Sequence, residues 1–241
     1  MSSFLTNYNI TAEIGVSLSD STWTYATLGA GIDNVSEALN EVVQQYQFLN
    51  GQGYAENHVT GAAPAWTFSG RRILGDTAQD YIAGLKYEFD DARKSSLKIS
   101  YTKGDDDYEF VVPVTICNIV DIGGGASTDD SVFSCEIRFD GKPTFKARGL
   151  RLTATAVSQG ATTITVAGAP TGSAAFYKIG NSIEMPYVGT SASDLTGWTQ
   201  SMSNSSIAVS GATAGTKITV VATSGGLGGG EVLKGGTVVP A

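Results

Sequence analysis

The residues able to do chemistry are few and scattered. His58 is the only histidine, and neither Cys117 nor Cys135 belongs to a CxxC pair, so the spacing that holds a soft metal is missing. A nucleophile fares no better: there is no GxSxG elbow and no cysteine motif with a histidine partner. Carboxylates do cluster, at Asp90-Asp91, Asp105 to Asp107 and Asp129-Asp130. Three acids at a hairpin tip could hold a hard cation, but the EF-hand spacing and its closing bidentate acid are absent, which leaves solvated turns. Gly123 to Gly125 and the later GGLGGG run lack the Lys-Ser/Thr and following helix of a phosphate loop, and read as connectors. The expectation is therefore no catalytic residue, no cofactor and no metal.

Charge narrows the partners. The net charge is −8, and it is uneven: up to Gly149 there are 11 Lys and Arg against 20 Asp and Glu, and from Leu150 on there are 4 against 3. The basic residues come singly or in pairs, Arg71-Arg72 and Arg93-Lys94, beside acids. A surface of this kind does not clamp nucleic acid, which needs clustered cations to displace counterions. It does allow DNA to slide past. The start, MSSFLTNYNITAEI, has no basic stretch followed by an apolar run, and no window approaches the roughly 20 apolar residues of a membrane span. A protein made in a reducing cytoplasm, with two core thiols instead of a disulfide, is the expectation.

The elements that must position these residues are mostly strands. Ala12, Ile14, Val16 and Leu18 alternate with polar neighbours, and Trp23, Tyr25 and Thr27 do so after the SDST step, which reads as a hairpin or as two strands of a meander. Gly29 to Leu39 reads as loop with a helical turn at SEALN. From 41 to 61, two strand-like arms flank Asn50-Gly51-Gln52-Gly53, and Asn-Gly tolerates the positive φ of a tight turn. The result is a protruding hairpin or a mobile loop. Its mixture of Gln44, Gln45, Tyr46, Phe48 and Tyr54 suits a surface that packs on a neighbouring copy.

Trp66 to Phe89 is the organising stretch. Trp66 and Phe68 alternate as a strand does; Asp76 stands where an N-cap belongs; Ala78, Tyr81, Ile82 and Leu85 keep helical spacing; and Gly84 closes the helix. Leu85, Tyr87 and Phe89 then alternate again, so the unit reads strand, helix, strand. Arg72 and Asp76 are placed for a local ion pair. Farther on, Leu97, Ile99 and Tyr101 form one strand, EFVVPVTICNIVDI returns with Pro113 suggesting an edge or a bulge, and Phe133, Cys135, Ile137 and Phe139 face away from Ser134, Glu136, Arg138 and Asp140.

The run FSGRR, then GDTAQDYI, then an alternating strand resembles the tail tube proteins of long-tailed bacteriophages, especially those of Gram-positive hosts. NIVDIGGGASTDDSVFSCEIRFDGKPTF resembles the closing strands of the same family, with a turn of the (N/D)GKPT kind. The motif residues are Gly75, Asp76, Gln79, Asp80, Tyr81, Gly141, Lys142 and Pro143, in a structural role. The resemblance covers most of residues 1 to 148. It implies a mainly β fold, an antiparallel β-sandwich or barrel-forming tube domain with one short helix, whose copies join into hexameric rings that stack into a DNA conduit. It also implies residence in the virion, with tail terminator, tape measure and baseplate proteins as partners and double-stranded DNA passing without specific binding. Gln45, Tyr46, Phe48, Asn50, Gly51 and Tyr54 would reach an adjacent subunit.

Beyond Gly149 the composition changes. More than half the residues are Gly, Ala, Ser or Thr, and of the chain's aromatics only Phe176, Tyr177, Tyr187 and Trp198 lie there. Strand candidates are Arg151 to Ser158, Thr162 to Ala167, Ala175 to Ile179, Ser206 to Val209, Lys217 to Thr223 and Val232 to Val239, with Gly-rich turns between them. The domains expected are 1–149, the tube domain, and 150–241, a small outward-facing β domain of immunoglobulin-like type, similar to the accessory domains some tail tube proteins carry. Two other readings stay open: a β-sandwich adhesion or capsid-decorating module that binds through exposed aromatics such as Trp198, and the inner tube of a contractile or bacteriocin-like particle.

Overall fold

A computed structural model of the chain describes residues 9–103, 106–126, 128–201, 203–226 and 229–241. It divides into two compact units, Met1–Pro143 and Thr144–Ala241, with the division a little before the composition change at Gly149. The acidic tip from Gly104 to Asp107 and the middle of the GGLGGG run fall wholly or partly outside the described residues.

The first unit is antiparallel. Its strands are β1 (Ile10–Ser19), β2 (Thr22–Thr27), β3 (Ile32–Ala38), β4 (Glu41–Gln47), β5 (Ala55–Ala62), β6 (Ala65–Arg71), β7 (Lys94–Lys103), β8 (Asp106–Val120) and β9 (Val132–Phe139). Along the main sheet they run β2-β1-β7-β8-β9-β6-β3, while β4 and β5 pair only with each other. Alternation dictates the core: Phe110, Val112, Val114 and Ile116 from β8 and Phe133, Cys135 and Ile137 from β9 point inward with Ile14, Phe68, Leu97 and Ile99. The helix α1 (Thr77–Gly84) packs against β1, β2 and β8, adding the fully buried Ala78 and Ile82 to that core, with Tyr81 and Leu85 half-buried beside them.

Four expectations need correction. Gly29 to Leu39 is not loop: β3 pairs with β6 over Ile32 to Ala38, and a register shift between Ile32 and Asn34 breaks the alternation that would have revealed it. Leu85 to Phe89 is not strand. Arg93 donates from Nε to the Glu88 carbonyl and from Nη2 to the Lys86 carbonyl, each at 2.6 Å, holding the segment as a compact loop ahead of a 3-10 turn at Asp90–Arg93, and Tyr87 and Phe89 are exposed. At the hairpin tip, Leu49–Gly51 form a 3-10 turn, and the positive φ falls on Gln52 (50°) and Gly53 (88°) instead of Asn50-Gly51. Finally, β8 lies inside the sheet and not at its edge, and the bulge alternative holds farther along the strand, where the register with β9 shifts between Cys117 and Val120. Pro113 is accommodated because its carbonyl accepts from Asp140 N (2.9 Å), so its nitrogen faces the side where the β9 register has ended at Val114 opposite Phe139.

The second unit holds β10 (Thr144–Phe145), β11 (Arg151–Ala154), β12 (Ala161–Ala167), β13 (Ala174–Ile179), β14 (Thr199–Ser201), β15 (Ser206–Ser210), β16 (Ile218–Thr223) and β17 (Val232–Val238). One sheet runs β11-β12-β15 and the other β14-β13-β16-β17. Ile164, Val166, Ile207 and Val209 from the first meet Ile218, Val220 and Ala222 from the second in one core, which makes a sandwich. Leaving β10 aside, the order is that of an immunoglobulin-like Greek key in which β14 lies beside β13. Each of the six strand candidates is present, β11 in shortened form, and the three-residue β14 joins them.

Candidate functional site

The GDTAQDYI motif forms a closed polar knot at the head of α1. Gly75 turns the chain with φ +84°, a conformation that glycine adopts without strain. Asp76 caps the helix, its Oδ1 accepting from Gln79 N at 2.9 Å. The Gln79 side chain is fully buried, yet its amide is paired throughout. Oε1 accepts from Ile73 N (2.8 Å), and Nε2 donates to the carbonyls of Ala30 (2.6 Å) and Arg71 (3.2 Å). One side chain therefore ties α1 to the ends of β6 and of the turn before β3. Asp80 completes the knot, accepting from Arg72 Nη2 (2.5 Å) and from Gly75 N (3.0 Å). The ion pair expected between Arg72 and Asp76 is made instead with Asp80, because Asp76 is committed to the cap. Tyr81 lies half-buried; burial raises its phenol pKa, and a hydrogen bond with Ser95 works the other way.

The second motif is a turn that closes on β8. Asp140 Oδ2 accepts from Thr115 Oγ1 at 2.7 Å, and a Cβ on Gly141 would stand 3.3 Å from Pro113 Cγ. Lys142 is exposed and Pro143 half-buried. Nearby, Glu136 is held below its ordinary pKa, first by Arg138 and also by Asn118.

Among the described residues, those singled out for reactivity are not gathered into one site. His58 is exposed, 3.7 Å from the Glu56 carboxylate and edge-on to Tyr46. Cys117 is half-buried and Cys135 buried, both as free thiols, and burial pushes Cys135 up to about 12. Among the described residues no three His, Cys, Asp or Glu side chains are grouped to hold a metal ion. No helix among the described residues is long and apolar enough to cross a membrane.

The surface that stands out is the β4–β5 ribbon. Every described side chain of its strands is exposed, including Val42, Val43, Tyr46 and Val59, with Phe48, Leu49 and Tyr54 at the tip. Tyr46 stacks on Phe48 at 6.1 Å between ring centroids. Of the residues expected there, Tyr46, Phe48 and Tyr54 supply exposed apolar area, while Gln45 lies on the strand and Asn50 and Gly51 in the turn. A second exposed set, Tyr87, Phe89 and Ile122, was not foreseen, because the alternation of Tyr87 and Phe89 imitates a buried strand face.

Fold and site together define a mainly β, antiparallel protein whose most specific residues hold structure. No protein-family model matches the chain, and no curated relative is found. Among solved structures, a chain from the tail of an empty gene transfer agent particle, computed by helical refinement with C6 symmetry, is similar at 14% identity and a TM-score of 0.44, over 59% of this chain and 98% of that one. A chain from the virion of a native gene transfer agent particle is similar at 13% identity and 0.43, over the same shares.

Proposed function

We propose that this protein is the structural subunit of a phage-type tail tube, whose copies close into rings, hexameric by resemblance, that stack into a conduit for genome delivery. The observation that carries the reading is the β4–β5 ribbon. A two-stranded ribbon is marginal alone in water, and one with this much exposed apolar area gains its stability by seating on another molecule. Among the described residues β2 and β3 end the main sheet, and pairing them between copies would support ring closure by hiding edges that otherwise aggregate. The structural role of Gly75, Asp76, Gln79 and Asp80 agrees with the motif resemblance. The acidity of the first unit serves passage: a negative wall repels phosphates, so double-stranded DNA moves without sticking. Residues 150–241 are an accessory domain outside the conduit, the protein resides in the virion, and its other partners are the tail terminator, tape measure and baseplate proteins.

The adhesion reading loses its recognition residue, since Trp198 is half-buried against the second unit's own core. Electron microscopy of the purified protein, alone and with tail initiator proteins, tests the tube reading. Rings or tubes are expected, and deletion of residues 150–241 should leave them intact. A protein that stays monomeric under all these conditions refutes the proposal.

A further inference from the structure

Asn50-Gly51 is the one Asn-Gly step in the chain, and it sits at the tip of the ribbon. An asparagine followed by glycine is open to its own backbone: with no Cβ on the next residue, nothing crowds that residue's nitrogen as it approaches the side-chain carbonyl carbon. What decides reactivity is whether the fold holds the step still. Asn50 is exposed, between the exposed Leu49 and Tyr54, and its side chain makes no hydrogen bond among the described residues. The 3-10 turn that contains it has no side-chain cap, and β4 and β5 pair only with each other, so the tip opens at little cost. The comparable steps elsewhere are pinned. Asn181 and Asn204 are the other asparagines with a small residue, serine, after them; Asn181 Oδ1 accepts from Lys217 N (2.9 Å), and Asn204 Nδ2 donates to the Ser173 carbonyl (3.0 Å). At Asp140-Gly141, the one Asp-Gly step, Asp140 Oδ2 accepts from Thr115 Oγ1 (2.7 Å) and Asp140 N donates to the Pro113 carbonyl (2.9 Å).

From this contrast we infer that Asn50 is a site of spontaneous covalent modification, converting to aspartate and isoaspartate through a cyclic imide. The Gly51 nitrogen, its proton taken by hydroxide, attacks Asn50 Cγ. A new N–C bond forms, the Cγ–Nδ2 bond breaks, and Nδ2 leaves as ammonia with a proton from water. A water molecule then opens the imide at either carbonyl. Attack at Cγ restores the main chain and leaves an aspartate side chain; attack at the main-chain carbonyl carbon frees that carbon as the carboxylate and routes the chain through Cγ, which is isoaspartate. One water is consumed, one ammonia is released, and nothing is oxidised or reduced. Either product adds a carboxylate to a ribbon that already carries Glu41 and Glu56, in a chain whose first Lys or Arg is Arg71. Isoaspartate also inserts a methylene into the backbone at the tip. The site is set by the turn and holds whether or not the chain builds a tube.

Ageing the purified full-length chain in warm, mildly alkaline buffer tests this. Ion exchange should resolve a more acidic species that grows with first-order kinetics and faster as hydroxide rises. Cleavage after glutamate releases residues 42–56, in which Asn50 is the only asparagine. The mass of that peptide should change as an amide becomes a carboxyl, and enzymatic methyl transfer to isoaspartate should label it. N50Q should abolish both signals, because the longer side chain must close a larger ring; Asn50 is exposed, so the unfolding midpoint of N50Q should match the wild type. Because a tip of this kind opens at little cost, the native chain should convert within about tenfold of the rate in the guanidinium-unfolded chain. Native conversion slower than the unfolded rate by more than about tenfold shows that the fold holds the step, and overturns the inference. An acidic species that maps only outside 42–56, or a label in 42–56 that persists in N50Q, overturns it as well.

Discussion

The Gln79 amide provides a direct measure of what holds α1 in place. Replacement by Met keeps the length and apolar bulk of the side chain but removes the acceptor for Ile73 N and the donor to the Ala30 and Arg71 carbonyls. A buried N–H left without a partner costs about 1–3 kcal/mol, and each lost bond to a carbonyl about 1 kcal/mol, so Q79M should destabilise the first unit by roughly 3–5 kcal/mol. That is a large share of the ~5–15 kcal/mol by which a domain is stable. At about 2–4 °C per kcal/mol for a unit of this size, its unfolding midpoint should fall by roughly 6–20 °C. Calorimetry gives the midpoint, and hydrogen exchange at the Ile73 amide gives the local effect: protection there should be lost first. A Q79M protein within about 1 kcal/mol of the wild type, with Ile73 still protected, would refute the claim that this amide ties the helix to the sheet.

Other residues give sharper single tests. A Cβ on Gly70 would stand 2.0 Å from the Gly31 carbonyl oxygen and 2.8 Å from Ile32 Cα, so G70A should destabilise by about 3 kcal/mol or more in urea unfolding. Gly84 has nothing within 4 Å of its Cβ position, and G84A should stabilise by about 0.5–1 kcal/mol in the same assay. Tyr81 has its folded pKa raised above the ordinary 10.0, so its contribution is complete below that value and is lost as pH rises through the folded pKa; Y81F should flatten the alkaline arm of a stability–pH curve. With its thiol pushed up to about 12, Cys135 should resist alkylation of the native protein near neutral pH and react only on unfolding, as mass spectrometry of labelled peptides would show.

How much of this was legible follows from what sets each element. Strands with one buried face announce themselves by alternation: β8, β9 and six strands of the second unit read directly, while the two- and three-residue β10 and β14 are too short to show a period, and Asp76 marks the start of α1. β3 escaped because its bulge offsets Ile32 from Val35, destroying the period that identifies a strand. The role of Gln79 escaped because a glutamine in a helix is ordinarily solvated, and only the approach of the Ala30 and Arg71 carbonyls, from residues distant in sequence, makes its burial favourable. The tip of the ribbon escaped by two residues, the positive φ falling on Gln52 and Gly53 because Leu49 to Gly51 tighten into a 3-10 turn first.

The misreading of Leu85 to Phe89 has a different cause. Alternation records that one face of a segment avoids water, but not whose apolar surface covers it. Within this chain Leu85 packs on the core while Tyr87 and Phe89 do not, and Arg93 holds the loop so that both rings stay outside. A chain under no demand beyond folding gains nothing from two aromatics held in that position. In an assembly of the kind proposed above, exposed rings held in this way have another molecule to face, and the periodicity then answers to a surface and not to this chain's core. The same logic covers the ribbon, whose apolar residues fit no core of their own chain. Both sets of aromatics are then read by one rule: apolar spacing without an internal partner marks a surface that folding alone does not explain.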